Sequence, residues 1–479
     1  MPSLPRLFWP VALSLAFALT ALLMVAPMVK MAAHGSTNTN EGWNAYYQRD
    51  ALQGKPLYSE PVRLTGANYP PVSFHLIGFL SRFTGNINQT GRWVSLISLL
   101  LVAALCGAIV WRETGSRPLA VYTALSVLIW LAVYEDDRIA MNDPQLLGTV
   151  FSLLGLYLYL ARPEARPEKT SWFAVSALAF TLSVFIKHNL IAYPAAVGLH
   201  LLWNRKWKAL VVWGGVLAAA SALFLLLTSK IDGPYLIAHL LTPRPQFGWL
   251  THVTEYLSYF QAPIAVAVVW SLRARRASLN HVLVFALITA HLIAIAFAGG
   301  YGVARNIFFD SLFMLIIVGS LAFHEFSPLA MRSAWPNFAL AALLVVPSLG
   351  VLIEMGLNER YTWVPPVKSR AQDFDETVEL LRSHPGQALC MELLACFEAG
   401  KPLVYESFAV NAALKTGRLE EKDVLGLLER EQFSVIQLDG DQFSTTYTPL
   451  PSAAFAEALA EHYRVEKRFS RSMVLVPKH

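Results

Sequence analysis

Charged residues and cysteines are scarce in this sequence. Asp, Glu, Lys and Arg make up only 15% of the 479 residues, whereas a soluble protein carries about 25%. The net charge of +5 is spread over short clusters, so the concentrated basic face that nucleic-acid binding needs is missing. The three cysteines are too few for a disulfide scaffold or a zinc site. The composition therefore excludes an ordinary soluble protein and a nucleic-acid-binding protein.

Apolar runs dominate instead, and 55% of the residues are hydrophobic. A transmembrane helix needs about 20 mostly apolar residues, and about eleven runs approach that length. They lie at Leu7–Val29, Trp93–Trp111, Leu119–Tyr134, Leu146–Leu160, Trp172–Ile186, Leu190–Trp203, Ala209–Thr228, Tyr256–Leu272, His281–Ala298, Ile307–Phe323 and Phe338–Met355. The first run exceeds the apolar core of a signal peptide, about 7–15 residues, and is interpreted as a retained helix. The sequence thus predicts an all-α polytopic membrane protein.

Lys and Arg recur in every second connection between these runs. Those connections are Arg112–Arg117, Arg162–Lys169, Arg205–Lys208, Arg273–Arg276 and His324–Arg332. Such loops face the cytoplasm, which places the other connections and everything after Met355 on the opposite side. We therefore predict a transmembrane domain over residues 1–356, with a first outer loop over 30–92, and an outer soluble domain over 357–479.

The C-terminal region alternates between helical and strand patterns, which predicts a small α/β domain. The predicted helices are Asp373–His384, Lys422–Glu431 and Ala453–His462. The predicted strands are Ala388–Met391, Leu403–Tyr405, Val435–Leu438 and Met473–Val476. Cys390 and Cys396 either pair, if this domain lies outside the cytoplasm, or remain two buried thiols.

The first outer loop is long and rich in aromatic residues. Gly42–Leu52 is predicted to form a helix on the membrane surface with its aromatic face at headgroup level. Pro70 and Pro71 then break the chain, and Val72–Phe83 is an apolar helix too short to span, typical of an interfacial or re-entrant segment. The alternative is a plain surface loop, although such loops are usually far shorter.

Three further segments place polar residues next to apolar runs. Asp143, before Pro144, is either a helix cap or a carboxylate that faces Glu41. Lys187 either snorkels to the interface or binds a phosphate, and Arg305 carries the same alternatives, with Arg244 a weaker candidate. Because the predicted topology puts these acids and cations on one face, together they indicate a site for an anionic amphiphile.

Five motifs resemble those of the GT-C superfamily of polytopic glycosyltransferases. They are Asn40-Glu41-Gly42, Asn68-Tyr69-Pro70-Pro71, Gly91-Arg92, Asn142-Asp143-Pro144 and the turn at Lys187. The chain is nearest the bacterial family-39-like enzymes, relatives of protein O-mannosyltransferases and of the lipid A aminoarabinose transferase. The resemblance implies inverting transfer of a hexosyl or pentosyl group from a polyprenyl-phosphate donor to a hydroxyl-bearing lipid, glycan or protein. The reaction would occur at the periplasmic face of a bacterial inner membrane.

The resemblance also implies roles for individual residues. Glu41 is the favoured catalytic base, but relatives often carry Asp-Glu where this chain has Asn40-Glu41, so Asp143 is the alternative. The expected donor-phosphate ligands are Lys187, His188 and Arg305. The expected substrate contacts are Asn40, Tyr46, Arg49, Tyr69, Asp137, Asn142 and Asn189. The sequence identifies no certain cofactor and leaves metal dependence open; if a divalent metal takes part, Asp143 and Glu41 are its expected ligands.

Two other function classes compete with the transferase. A lipid-linked saccharide transporter would place polar residues in mid-span along a pathway, whereas these runs are nearly free of charge. A non-catalytic envelope-assembly protein would not need acids and cations from four loops on one face.

Overall fold

The computed structural model describes residues 7–161, 170–243, 249–274, 280–326, 365–439, 450–470 and 472–479. Up to Phe326 these residues form α-helices α1 to α13. Their bounds are Phe8–Ala32, Asn40–Leu52, Val72–Thr84, Ile87–Thr114, Arg117–Tyr134, Gln145–Leu160, Thr170–Ile186, Ala192–Trp203, Trp207–Ile231, Leu236–Leu240, Trp249–Ala274, Asn280–Phe297 and Phe309–Phe326. Ten of the eleven predicted apolar runs correspond to helices in this set, and Phe338–Met355 lies outside the described residues.

Local signals set several helix ends. The Asn86 side chain accepts a hydrogen bond from the Gln89 N–H and so caps the start of α4. Gly115 ends α4 with a φ of 68°, a left-handed conformation that favours glycine. Ser116 then accepts a hydrogen bond from the Leu119 N–H and starts α5 at once. These caps turn α4 and α5 into a tight antiparallel pair.

Five described helices are long and apolar enough to cross a membrane: Phe8–Ala32, Ile87–Thr114, Arg117–Tyr134, Trp207–Ile231 and Arg305–Phe326. Shorter apolar helices are Gln145–Leu160, Ser171–Ile186 and Val282–Phe297. Large apolar side chains on α9, including Val211 and Leu226, remain exposed, which suits a lipid-facing surface. The predicted all-α membrane architecture is confirmed, while the number of spans stays a prediction.

The C-terminal region has the predicted α/β character. Its four-stranded sheet has the order β1-β2-β4-β3, with β1 and β2 parallel and the other pairs antiparallel. The strands β1 to β4 are Ala388–Cys390, Val435–Asp439, Tyr463–Arg468 and Ser472–Pro477. The helices α14 to α18 are Pro365–Ser383, Leu393–Glu398, Ser407–Lys415, Glu421–Glu429 and Ala453–His462. The predicted domain boundary at residue 356 lies outside the described residues.

One predicted strand in this region is wrong. Leu403–Tyr405 has no strand structure. The next residue, Glu406, donates its backbone N–H to the Leu64 carbonyl at 2.9 Å, so this stretch of chain contacts the first outer loop rather than the sheet. Cys390 and Cys396 form a disulfide, which joins the end of β1 to α15.

The C-terminal domain is docked on α2 and its neighbours. A Cβ atom on Gly42 would lie 2.1 Å from the Leu394 amide nitrogen, so the two backbones meet at a position that only glycine allows. The Tyr46 hydroxyl donates to the Lys401 carbonyl at 2.9 Å, and Tyr301 stacks on Phe408. Because α15 covers α2, the expectation that the aromatic residues of α2 lie at headgroup level is wrong. Trp43, Tyr46 and Tyr47 are buried, as expected for an internal helix.

The second predicted loop helix behaves differently. α3 buries Phe74 and Ile77 but leaves Phe79 and Phe83 exposed. One apolar face of this short helix thus packs on the protein and the other remains uncovered, as the interfacial prediction expects.

Candidate active site

Glu41 lies in the first turn of α2 and is completely buried. Arg92 donates to both carboxylate oxygens, from Nε at 2.8 Å and from Nη2 at 2.7 Å. The Thr37 and Asn142 backbone N–H groups also donate to it, at 2.8 and 3.0 Å. The two oxygens therefore accept four hydrogen bonds, two of them from a bidentate guanidinium, which is the strong form of this ion pair.

Arg92 also joins the ends of neighbouring elements. Its guanidinium donates to the carbonyl of Met31, in the last turn of α1, and to the carbonyls of Ala33 and Gly35, which follow that helix. The Arg92 side chain is thus fully engaged and holds α1, α2 and α4 together through Glu41.

Asn142 continues this buried network. The side-chain amides of Asn142 and Gln48 donate to each other at 2.9 and 2.8 Å. The Asn44 side-chain amide donates to the backbone carbonyl of Asn142 at 2.8 Å. A Cβ on Gly91 would lie 1.9 Å from Asn142 Oδ1, which explains the glycine before Arg92. These contacts fix the backbone that presents the next residue, Asp143.

Asp143 is buried, with 5% of its surface exposed, but its two oxygens differ. Oδ1 accepts hydrogen bonds from Lys187 Nζ at 3.1 Å and from the Gln145 N–H at 2.7 Å. Oδ2 has no hydrogen-bond partner among the described residues, and Arg138 Nη1 lies 3.7 Å away from it. Burial alone would raise the pKa of Asp143, but Lys187 and Arg138 hold that pKa below its usual value. The carboxylate is therefore ionised and keeps one oxygen open.

Lys187 follows the last residue of α7 and points inward. Only 4% of its surface is exposed, and its ammonium lies 4.6 Å from the centre of the Tyr69 ring. A lysine that snorkels would keep its charge in water. Lys187 therefore belongs to an internal site, with Asp143 on one side and an aromatic ring on the other.

A second group of charges adjoins this pair. Arg138, in the short helix Asp136–Arg138, lies 3.4 Å from the Glu135 carboxylate. Arg305 pairs with Glu255 at 3.1 Å and also acts electrostatically on Glu135. The loop after α5, the turn after α7 and the segment before α13 thus contribute to one charged cluster.

The structure brings together carboxylates and cations that are far apart in sequence, while their role as a substrate site stays a prediction. Glu41 contacts Asn142, and the adjacent Asp143 contacts Lys187, so the first outer loop and the lysine turn share one site. Tyr69 lies beside Lys187, and Arg305 lies in the neighbouring cluster.

Several predicted substrate contacts have other partners. Tyr46 and Arg49 contact the C-terminal domain, where the Arg49 guanidinium lies 5.2 Å from the centre of the Phe397 ring. The Asn40 N–H donates to Asn38 Oδ1 at 3.2 Å, and the Asn38 amide reaches Asp137 at 3.5 Å.

The remaining candidates give mixed outcomes. His188 and Asn189 are half-buried in the turn after α7. Asn189 Oδ1 has no hydrogen-bond partner among the described residues, which leaves it available to a ligand. Arg244 lies outside the described residues.

The proposed metal ligands are already engaged by cations. Glu41 pairs with Arg92 and Asp143 with Lys187. No group of three His, Cys, Asp or Glu residues that could hold a metal occurs in the described ranges. The donor set around the two carboxylates therefore fits ion pairs rather than a metal ion.

Glu135 and Arg138 are not among the site residues that the sequence predicts, and the ion pair between Arg92 and Glu41 is not predicted either. Glu135 and Arg138 are three residues apart, a spacing at which side chains meet in a helical turn, and they sit in an acid-rich segment between two apolar runs. Arg92 resembles an interfacial anchor at a helix start, so only its contact with Glu41 reveals its role.

Known proteins provide an independent comparison. Residues 68–230 match the family of dolichyl-phosphate-mannose-protein mannosyltransferases. The structure of ArnT from Cupriavidus metallidurans bound to undecaprenyl phosphate is similar with a TM-score of 0.66 at 13% identity, over 98% of each chain. The Archaeoglobus fulgidus oligosaccharyltransferase tethered with an acceptor peptide is similar with a TM-score of 0.55 at 12% identity, over 97% of this chain and 74% of that one. No curated protein matches the sequence.

Proposed function

We propose, on the premise that this chain has the fold of the GT-C membrane glycosyltransferases, that it moves a sugar from a polyprenyl-phosphate donor to a hydroxyl group. The acceptor class is a lipid, a glycan or a protein. The observation that carries the proposal is the buried Asp143, which has one oxygen held by Lys187 and the other open. A carboxylate next to a cation is what transfer from a phosphate leaving group requires.

The chemistry is a single displacement. The acceptor hydroxyl attacks C1 of the sugar from the face opposite the phosphate and gives its proton to Asp143 Oδ2. The C1–oxygen bond to the phosphate breaks, its electron pair stays on the phosphate, and the anomeric configuration inverts. The positive charge of Lys187 stabilises the negative charge that develops on the departing phosphate.

Asp143 is a better base than Glu41 in this geometry. Both oxygens of Glu41 accept two hydrogen bonds each, so neither oxygen is open to the proton of an acceptor hydroxyl. Asp143 Oδ2 is free of hydrogen bonds within the described chain. We therefore assign the proton transfer to Asp143 and a positioning role to Glu41.

The donor class and the location rest on two further observations. ArnT of Cupriavidus metallidurans, which has this fold, is bound to undecaprenyl phosphate, and this supports a polyprenyl-phosphate donor here. The Cys390–Cys396 disulfide is typical of an oxidising compartment. It supports a periplasmic C-terminal domain, docked on the loop that carries Glu41, at a bacterial inner membrane.

A transfer assay tests the function. Purified protein in lipid vesicles is given a polyprenyl-phosphate-sugar with a labelled sugar, together with lipid, glycan and peptide acceptors. The proposal expects labelled acceptor of inverted anomeric configuration. Movement of the intact labelled donor across the bilayer without transfer would instead indicate a transporter. The absence of both transfer and movement would indicate a non-catalytic assembly protein.

Lys187→Ala is expected to weaken donor use. A charge-assisted hydrogen bond contributes about 1.5–3 kcal/mol, so the KM for the donor should rise by about 10- to 150-fold. Initial rates over a range of donor concentrations measure it. The matched control is Lys30→Ala, since Lys30 also pairs with an aspartate but is 37% exposed, and its KM should be unchanged. An unaltered donor KM in Lys187→Ala would remove Lys187 from the phosphate site.

A further inference from the structure

One guanidinium lies between two carboxylates without binding either of them well. Arg138 is buried, with 7% of its surface exposed. Its Nε is 3.4 Å from Glu135 Oε1 and its Nη1 is 3.7 Å from Asp143 Oδ2. A good hydrogen bond between charged partners measures about 2.7–2.9 Å. Arg138 therefore has room to improve its contact with either acid, at the expense of the other.

We infer that Glu135 is a positioning residue that holds Arg138 away from Asp143 Oδ2, and that protonation of Glu135 lets Arg138 close on this oxygen. The inference deepens the proposed function and rests on it. When Glu135 is ionised, it competes for the guanidinium, and Asp143 Oδ2 stays open to the acceptor hydroxyl. When Glu135 is neutral, Asp143 is the one charged carboxylate left within 4 Å of Arg138 among the described residues, and the resulting ion pair occupies the oxygen that must take the proton.

The groups around Glu135 make its charge responsive to pH. Arg138 and Asp137 face it from its own segment, Arg305 from the short helix before α13, and Tyr134 precedes it on α5. Burial raises the pKa of Glu135 to about 7, and Asp137 adds to the rise, while Arg138 and Arg305 oppose it. Glu255 on α11 is the ion-pair partner of Arg305 and weakens that opposition.

The sign of the effect follows from this balance. Above pH 7 Glu135 is mostly ionised and the site is open. Below pH 7 Glu135 takes up a proton and the site closes, so kcat/KM for the acceptor should fall by about tenfold between pH 8 and pH 6. The Asp143 carboxylate does not titrate in this range, because Lys187 and Arg138 keep its pKa below the usual value.

The test compares pH profiles of the full-length protein in vesicles. In Glu135→Gln the carboxylate can no longer compete for Arg138, so kcat/KM should be flat from pH 6 to pH 8 and should lie near the acid-side level of the wild type. Glu255→Gln is the matched control, since it removes a neighbouring acid that forms no ion pair with Arg138. Its acid limb should remain but shift to lower pH, because Arg305 then acts more strongly on Glu135. Glu135→Gln together with Arg138→Gln should raise kcat/KM about tenfold above that of Glu135→Gln alone, because no guanidinium remains to close on Asp143.

Each outcome has one meaning. An acid limb near pH 7 that persists in Glu135→Gln, or a double variant no faster than the single one, overturns the inference. If turnover by Glu135→Gln is too slow for a pH profile, the kcat/KM of the double variant relative to the single variant tests the inference instead. Absence of sugar transfer by the wild-type protein at every pH sinks the proposed function instead, so the two failures are distinct.

Discussion

Asp143→Asn is expected to lower kcat by about 10²–10⁴-fold, the contribution of a general base. The amide has nearly the same shape as the carboxylate and can still accept hydrogen bonds from Lys187 and the Gln145 N–H. It cannot take the proton of the acceptor hydroxyl. Single-turnover rates with the labelled donor measure the chemical step, and the KM for the donor reports whether binding survives.

Asp137→Asn is the matched control for this substitution. Asp137 belongs to the same acid-rich segment and is half-buried, but its described partner is the Asn38 amide rather than a cation. Its kcat should stay within about threefold of the wild type. If Asp143→Asn kept a near-normal kcat while folded, Asp143 would not be the base, and Glu41 would become the remaining candidate. A thermal unfolding curve for each variant separates loss of catalysis from loss of structure.

The fold is largely predictable from the sequence, because the length and apolar composition of membrane helices identify them. The run Leu119–Tyr134, for example, differs from α5 by two residues, because Ser116 and Pro118 mark its start. Shorter elements in the C-terminal domain were missed, since α15 and α16 have six and nine residues and carry little periodic signal. The composition of Leu403–Tyr405 predicts a strand, but this stretch precedes Glu406, whose N–H bonds the Leu64 carbonyl of the first outer loop. Such a tertiary contact cannot be read from local patterns.

The site was predictable in its members but not in their pairing. Glu41, Asp143 and Lys187 stand out as polar residues at the ends of apolar runs, and the topology predicts that they share a face. Which acid binds which cation depends on the positions of the packed helices to within about an ångström. The spacing of residues along the sequence does not determine these positions. The pairing changes the chemistry, because Arg92 takes up the acid that the resemblance favours as base and leaves Asp143 with an open oxygen.

Glu41→Gln is expected to destabilise the protein by about 3–5 kcal/mol, the cost of breaking a buried ion pair from one side. The neutral amide leaves the buried Arg92 guanidinium without a counter-charge, and Arg92 connects the ends of α1, α2 and α4. A catalytic base in the same position would give the opposite pattern, namely a folded and inactive protein. Unfolding in detergent, followed by far-ultraviolet circular dichroism, measures the change in stability.

A double-mutant cycle with Arg92→Gln isolates the interaction. If Glu41 and Arg92 form one structural clamp, the double variant should be less destabilised than the sum of the single variants, because removing both charges leaves neither one buried alone. Lys30→Ala breaks an ion pair that is about one-third exposed, and it should lower the free energy of unfolding by about 1 kcal/mol or less. It serves as the reference for loss of an exposed ion pair. A Glu41→Gln variant with wild-type stability and no turnover would contradict the clamp and return the proton transfer to Glu41. Stability and turnover measured on the same variants thus divide the two acids between structure and chemistry, since only Asp143 should lose rate without losing the fold.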